Sequence, residues 1–165
     1  MSRRFPFPHP VNETSARIVA AGVVIMSVAY AFTGAAWLLI PLTYGFFARV
    51  TTGPAFSPLG ALATKVITPR LNVQHRLVAG PPKRFAQFVG LVFSAGASVL
   101  WLLDLGTASR IVAALLAGAA LLESAFAVCL GCIMFSFLMK IGVIPQSVCE
   151  ACNDITLRAP AETSN

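Results

Sequence analysis

Apolar residues gather into four long runs along this chain, and a basic, proline-containing segment separates the first two runs from the last two. A helix needs about twenty mostly apolar residues to cross a hydrocarbon layer of about 30 Å. With a mean hydropathy of +0.80 and only 11% charged residues, the composition indicates a membrane protein rather than a soluble one. We therefore predict an all-α fold, an integral membrane four-helix bundle with helices over residues 16–32, 35–50, 85–103 and 108–141.

The first two runs are slightly short for complete membrane spans, and Thr33 and Gly34 separate them. A Thr-Gly pair suits a turn between helices, so these runs predict a tight transmembrane hairpin. Pro41 is expected to kink the second helix of that hairpin. One long, bent helix is the alternative.

The fourth run continues without a proline as far as Ile141, where Gly142 and then Pro145 provide an ordinary helix stop. A helix from Arg110 to Ile141 is about 48 Å long at a rise of about 1.5 Å per residue. This length exceeds a hydrocarbon layer of about 30 Å. Such a helix must therefore tilt, kink near Gly131 or project from the membrane.

The distribution of basic residues predicts the orientation of the chain. Three near the N-terminus, six in the central segment and two after the fourth run make eleven of the twelve on one side, with Arg110 on the other. Because cytoplasmic loops carry the positive excess, we predict a multi-pass protein of the cell (plasma) membrane with both termini in the cytoplasm. The lipid bilayer is its predicted partner. Nucleic acid is not, since the basic residues do not alternate with stacking aromatic residues.

The central segment carries apolar residues at helical spacing, at Leu59, Leu62, Val66 and Ile67. This pattern predicts an interfacial helix in the central cytoplasmic loop, and an ordinary loop is the alternative. The whole chain is predicted to comprise a disordered basic N-terminal arm (1–11), a four-helix transmembrane domain (12–142) and a cytoplasmic tail (143–165).

All four cysteines form two CxxC pairs, Cys129 with Cys132 and Cys149 with Cys152, and sixteen residues separate the pairs. Structural disulfides are not expected on the cytoplasmic side, where thiols are kept reduced. The spacing matches a zinc site, in which all four thiolates would be metal ligands. The same four residues could instead be catalytic thiols of a redox or sulfur-exchange site.

The predicted placement of the first pair favours exchange over zinc. Zinc-binding CxxC pairs usually lie on turns, whereas Cys129 and Cys132 fall inside the predicted fourth helix, on the same side of it. A disulfide between them would be strained and easily reduced, as catalytic disulfides are. A continuous helix offers no N-terminal dipole to activate either thiol. Burial of both cysteines as small apolar residues in a helix interface is the third interpretation.

Glu123 is an intramembrane acid within the fourth run, where an unpaired carboxylate is costly, and it is therefore a candidate functional residue. On a continuous helix it lies about 120° around from Cys129 and so away from the dithiol. The alternative role is packing, through a pair with a neighbouring helix or a bond to Tyr30, Gln87 or Ser124. A small transporter that uses Glu123 has little support, because the other runs offer no matching charge.

Several short motifs carry a resemblance to a known family. They are Val11-Asn12, Ser57-Pro58-Leu59 leading to Pro69-Arg70-Leu71, the stretch from Pro81 to Gln87, and Cys129-Leu130-Gly131-Cys132. Over most of residues 12–141 the chain resembles a family of small four-helix bacterial integral membrane proteins, common in actinobacteria, with a domain of unknown function. Its members often sit near thioredoxin-like or sulfurtransferase proteins, so the resemblance implies a thiol or sulfur role. The second pair is less general in that family, which weakens a family-wide four-cysteine zinc site.

These observations together predict thiol–disulfide or persulfide exchange with a thioredoxin-like or sulfurtransferase-like partner. Cys129 and Cys132 would be the pair at the membrane edge, and Cys149 and Cys152 the exposed shuttle. The alternative is a non-enzymatic accessory or structural subunit of a larger membrane complex, whose tail is clamped by a four-cysteine zinc site. No cofactor other than that zinc ion is predicted, and the sequence leaves open whether the protein is an enzyme.

Overall fold

The structure is a computed structural model that describes residues 11–53, 56–71, 77–78 and 80–144. Within these ranges the regular structure is helical apart from one strand pair, β1 (Val11–Asn12) antiparallel to β2 (Leu77–Val78). The helices are α1 (Glu13–Thr33), α2 (Leu39–Thr52), α3 (Pro58–Leu62), α4 (Gly80–Leu102), α5 (Gly106–Phe126) and α6 (Leu130–Lys140). Short 3-10 or π turns occupy residues 36–38, 63–67 and 68–70. The predicted all-α class is confirmed.

Three of these helices, α1, α4 and α5, are long and apolar enough to cross a membrane, with 21, 23 and 21 residues. The other two apolar helices are shorter, with 14 residues in α2 and 11 in α6. Their lengths and compositions are consistent with the predicted membrane protein.

α1 and α2 are separate helices, as the Thr33–Gly34 pair predicted. α1 begins where Asn12 accepts hydrogen bonds from the amides of Thr14 (2.9 Å) and Ser15 (3.4 Å), which are otherwise unpaired donors of the first turn. It ends at Gly34, whose φ of 69° is a left-handed conformation that glycine adopts without steric cost. The alternative of one long, bent helix is therefore wrong.

The long helices run antiparallel to their neighbours. Near the end of α1, the Tyr30 hydroxyl lies 2.5 Å from the Ser109 hydroxyl near the start of α5. Thr43 of α2 similarly lies 3.2 Å from Ser98 of α4. The turns after α1 and after α4 therefore share one end of the molecule. The opposite end gathers the starts of α1 and α4, the ends of α2 and α5, and α6, and it carries the candidate site.

The start of α4 differs from the prediction. It begins at Gly80 rather than at residue 85, with two prolines in its first turn. Proline is tolerated there because the amides of the first turn have no partner within the helix. Lys83 and Arg84, predicted in the central loop, consequently belong to the helix, and Lys83 is buried.

The prediction of one continuous helix over residues 108–141 is wrong. α5 ends at Phe126 and α6 begins at Leu130, with Ala127 between them at a left-handed φ of 57°. Gly131, near which a kink was one of three alternatives, lies inside α6. Other helices contact the chain at this break: Arg17 of α1 donates hydrogen bonds to the carbonyls of Ser124 and Ala125, and Gly131 packs against α4.

The structure describes only part of the remaining predicted segments. Residues 58–70 of the central segment form α3 and two further helical turns, and Ser57 begins α3 by accepting a hydrogen bond from the Gly60 amide. Residues 1–10 of the predicted N-terminal arm, most of the predicted tail, and the second cysteine pair, Cys149 and Cys152, lie outside the described residues.

Candidate thiol site at the break between α5 and α6

The break between α5 and α6 is a closed, hydrogen-bonded helix ending. The amide of Ala127 donates to the Glu123 carbonyl (3.1 Å), and the amide of Val128 donates to the Leu122 carbonyl (3.1 Å). The bond from Ala127 to Glu123 is the five-to-one bond of the αL helix-ending motif, in which glycine usually occupies the left-handed position. A residue with a Cβ pays about 1–2 kcal/mol for that conformation, so Ala127 must be held by contacts from elsewhere.

Because of this break, Cys129 and Cys132 lie in the first turn of a new helix. Cys129 is the N-cap of α6, with extended backbone, and its carbonyl accepts from the Ile133 amide at 3.0 Å. Cys132 follows at the third helical position, and both thiols are free. A helix N-terminus favours negative charge, including that of a thiolate. The prediction that the pair lies within a helix, without an N-terminal dipole, is therefore wrong.

α6 packs closely against the start of α4, and this contact fixes the position of the cysteine pair. A Cβ added to Gly131 would lie 2.5 Å from the Ala86 Cα, so only glycine allows the two backbones to approach this closely. One turn further along, the Phe135 ring packs on the Phe85 ring with 5.7 Å between centroids. The first turn of α6 is thereby held beside the first turns of α4.

An ion pair joins α4 to α5 next to the cysteines. Lys83 Nζ donates to Glu123 Oε1 at 2.5 Å, and the two side chains are only 8% and 13% exposed. Both charges act electrostatically on Cys129 and Cys132. Glu123 therefore lies near the dithiol, in contrast with the prediction from a continuous helix. Its carboxylate is paired with a neighbouring helix, and Lys83 is the partner.

Arg49, at the end of α2, adds a second buried cation, which is 5% exposed. Its Nε donates to Gln87 Oε1 (2.7 Å), its Nη1 donates to Ser57 Oγ (3.0 Å), and it lies 4.6 Å from the centre of a phenylalanine ring. None of these partners is charged, and Glu123 is the carboxylate that acts on it. Among the described residues, two buried cations thus share one carboxylate. The excess positive charge could be balanced by a thiolate at Cys129.

The two thiols differ in how readily they lose a proton. Hydrogen bonding with Cys132 lowers the pKa of the Cys129 thiol; the charge of Lys83 acts in the same direction, whereas burial and Glu123 oppose it. The pKa of the Cys132 thiol is raised, because its hydrogen bond to Cys129 retains the proton and burial disfavours its thiolate. Cys129 is therefore the candidate nucleophile and Cys132 the candidate proton-bearing partner.

The metal-binding interpretation needs all four cysteines, and the described residues contain two of them. Within the described ranges, no group of three or more His, Cys, Asp or Glu side chains is placed to hold a metal ion. Cys149 and Cys152 are outside those ranges, so the four-cysteine zinc site stays a prediction.

Sequence reasoning missed three cationic residues of this end of the molecule. Lys83 and Arg49 were counted only as cytoplasmic charges, although both are buried. Arg17 of α1 was treated in the same way, yet its side chain binds the end of α5. The Pro-Pro pair just before Lys83 was the available signal, because two prolines suit a helical first turn and would have moved Lys83 into the helix.

Comparison with known proteins identifies the family of this chain. The chain matches no curated protein and no solved structure. Residues 11–140 match the domain of unknown function DUF4395, which agrees with the family resemblance noted in the sequence. Because this match covers α1 to α6, including the first cysteine pair, the chain belongs to the DUF4395 family.

Proposed function

We propose that this protein is an integral membrane thiol-exchange protein in which Cys129 is the nucleophile and Cys132 is the resolving thiol. The observation that carries the proposal is the position of Cys129 at the N-cap of α6, beside Lys83 and one turn before Cys132. A helix N-terminus, a nearby cation and a thiol donor each stabilise a thiolate, and here all three act on one sulfur atom.

The exchange proceeds through a mixed disulfide. The Cys129 thiolate attacks one sulfur of a partner disulfide, and the other partner sulfur leaves as a thiolate. Cys132 then attacks Cys129 Sγ, giving its proton to the first released thiolate, and the second partner sulfur leaves as a thiolate that takes a proton from water. The partner disulfide is reduced to a dithiol while the Cys129–Cys132 pair is oxidised, and the reverse reaction regenerates the pair.

A persulfide uses the same nucleophile. The Cys129 thiolate attacks the outer sulfur of a partner persulfide, gains that sulfur as a cysteine persulfide, and releases the partner thiolate without net oxidation. In either version the natural partner is a thioredoxin-like or sulfurtransferase-like protein. Cys149 and Cys152 are proposed to receive electrons or sulfur from the first pair and to pass them to that partner.

In the proposed topology, the cysteine end of the molecule faces the cytoplasm of the plasma membrane. Arg17, Arg49 and Lys83 lie at that end, in line with the positive excess of cytoplasmic segments. The opposite end carries Trp37 and Trp101, which are 66% and 44% exposed and flank the two short turns. Exposed tryptophans are typical of membrane–water interfaces, so these residues support an interface at that end.

The four-helix bundle and the interfacial helix are also proposals. α2 together with the preceding turn covers residues 36–52, about 25 Å of helix, which is close to a hydrocarbon layer of about 30 Å. α2 also packs along α4, through Thr43 and Ser98, which supports its inclusion as the fourth span. Residues 58–70 would then lie on the cytoplasmic surface, with Leu62 and Val66 exposed to lipid headgroups and acyl chains.

The test uses purified full-length protein in detergent, with Cys149 and Cys152 both replaced by serine so that only the first pair reacts. Glutathione disulfide is the probe, and each adduct is located by mass spectrometry. The otherwise wild-type pair is expected to form a Cys129–Cys132 disulfide. Cys132→Ser is expected to accumulate glutathione at Cys129, because the resolving thiol is gone, whereas Cys129→Ser reacts much more slowly. Equal adduct formation at Cys132 and Cys129, or none at either, would refute the proposal.

A second candidate function is favoured by the CxxC spacing alone. Two such pairs sixteen residues apart match a zinc clamp with four cysteine ligands. The protein would then be an accessory subunit of a membrane complex, with a tail folded against the first cysteine pair. That function requires Cys149 and Cys152 for stability and no redox change at Cys129.

A further inference from the structure

We propose that Arg17 is a positioning residue for the dithiol, because its guanidinium keeps the chain from continuing α5 as a helix through Cys129. The inference rests on the proposed function of the dithiol. Arg17 lies near the start of α1, more than a hundred positions before the cysteines in the sequence, yet it contacts the last turn of α5.

A helix that continued through Cys129 would need backbone hydrogen bonds across the present break. In an α-helix each amide donates to the carbonyl four residues earlier. The amides of Val128 and Cys129 would therefore need the carbonyls of Ser124 and Ala125. Arg17 competes for both of these carbonyls, with Nε donating to Ser124 (3.0 Å) and a terminal nitrogen donating to Ala125 (3.1 Å). The Val128 amide turns instead to the carbonyl of Leu122.

The local sequence would otherwise favour a continuous helix. Neither glycine nor proline occurs between Ser124 and Cys129, and Ala127, at the centre of the break, is the best helix-forming residue. Its left-handed conformation is disfavoured for any residue with a Cβ. A contact from another helix must therefore oppose the local preference, and the Arg17 guanidinium is placed to do so.

Arg17 acts through the backbone rather than through its charge. The charged side chains that act on the Cys129 thiol are Glu123 and Lys83. The Arg17 side chain itself is exposed, so its field is screened by its surroundings. Its consequence for the thiol is geometric: with α5 ended at Phe126, Cys129 becomes the N-cap of α6.

The test measures alkylation of Cys129 by iodoacetamide as a function of pH, in the Cys149→Ser, Cys152→Ser background. The pH at half-maximal rate reports the thiolate, and the plateau rate reports access. In Arg17→Met the midpoint for Cys129 is expected to rise, by about half a pH unit or more, because the helix N-terminus no longer favours the thiolate. Arg110→Met, which removes an exposed cation at the opposite end, is the matched control and leaves the midpoint unchanged.

Adding Ala127→Gly to Arg17→Met is the decisive variant. Glycine adopts the left-handed conformation without cost, so it should restore the break and return the Cys129 midpoint to that of the parent protein. An unchanged midpoint in Arg17→Met, or a raised midpoint that glycine does not restore, would overturn the inference. Should Arg17→Met not fold, Arg17→Lys keeps the charge but lacks the paired donors of the guanidinium, and the same comparison with Ala127→Gly applies.

The parent protein separates failure of this inference from failure of the proposed function. If Cys129 in the parent titrates no earlier than Cys132, the assignment of Cys129 as nucleophile is wrong. If the parent shows a reactive Cys129 and Arg17→Met retains it, only the positioning role is wrong.

Discussion

Replacing Lys83 with methionine is expected to destabilise the fold strongly, because Glu123 would lose the ammonium group that neutralises it. The two charged atoms are 2.5 Å apart, and the two side chains are only 8% and 13% exposed. Removing one member of a buried ion pair typically costs about 3–5 kcal/mol. Methionine retains an unbranched apolar side chain, so little of this loss should come from packing. Arg49 is not free to take the place of Lys83, since Gln87 and Ser57 hold it.

The pair also predicts strong coupling in a double-mutant cycle. Replacing Lys83 with methionine and Glu123 with leucine together removes both members of the buried ion pair. Replacement of a whole buried pair by apolar residues is often close to neutral. The double variant should therefore recover most of the stability lost in either single variant, with a coupling energy of about 2 kcal/mol or more.

The assay is reversible unfolding in mixed detergent micelles, followed by circular dichroism. Lys140→Met is the matched control, because Lys140 is a lysine at the exposed end of α6, and its replacement should change stability by less than about 0.5 kcal/mol. A Lys83→Met variant as stable as Lys140→Met, or single-variant losses that simply add in the double variant, would show that the pair does not hold this site together.

Three further predictions concern the helix break and its thiols. Gly131→Ala should destabilise the protein by about 1–3 kcal/mol in the same assay, because its Cβ would meet the α4 backbone. The control Gly118→Ala has open space around the added Cβ and should not destabilise the protein. Equal effects of the two substitutions would contradict the close contact between α6 and α4. Ala127→Gly should raise the unfolding free energy by about 1 kcal/mol by relieving the left-handed strain, and a loss of stability would argue against that conformation. Cys129 should become alkylated at lower pH than Cys132, since its pKa is lowered and that of Cys132 is raised; the reverse order would contradict the assigned roles.

Features encoded in adjacent residues could be predicted from the sequence. The Thr33–Gly34 break between α1 and α2 was visible because glycine supplies the left-handed residue that ends a helix. The all-helical class followed from the length of the apolar runs. The first cysteine pair was found from its spacing, and the cost of a carboxylate in an apolar run identified Glu123 as a candidate.

Features created by contacts between distant residues could not be predicted in this way. Ala127 favours helix locally, and its left-handed conformation depends on contacts with other helices, including that made by Arg17 from the far end of the sequence. Lys83 and Glu123 meet only because α4 and α5 are antiparallel neighbours. The same break turns the cysteine pair from a mid-helix position into a helix N-terminus. The residues of the site could thus be identified from the sequence, but their chemical environment could not.

The most direct test of the exchange function is the native intact mass of full-length protein, purified in detergent with its thiols protected from air, before and after one addition of glutathione disulfide. Our account predicts a protein without zinc that then loses two hydrogens, with the new disulfide mapped to Cys129 and Cys132. A mass heavier by one zinc ion, lost together with fold stability on chelation and unchanged by glutathione disulfide, would contradict exchange and establish the metal clamp.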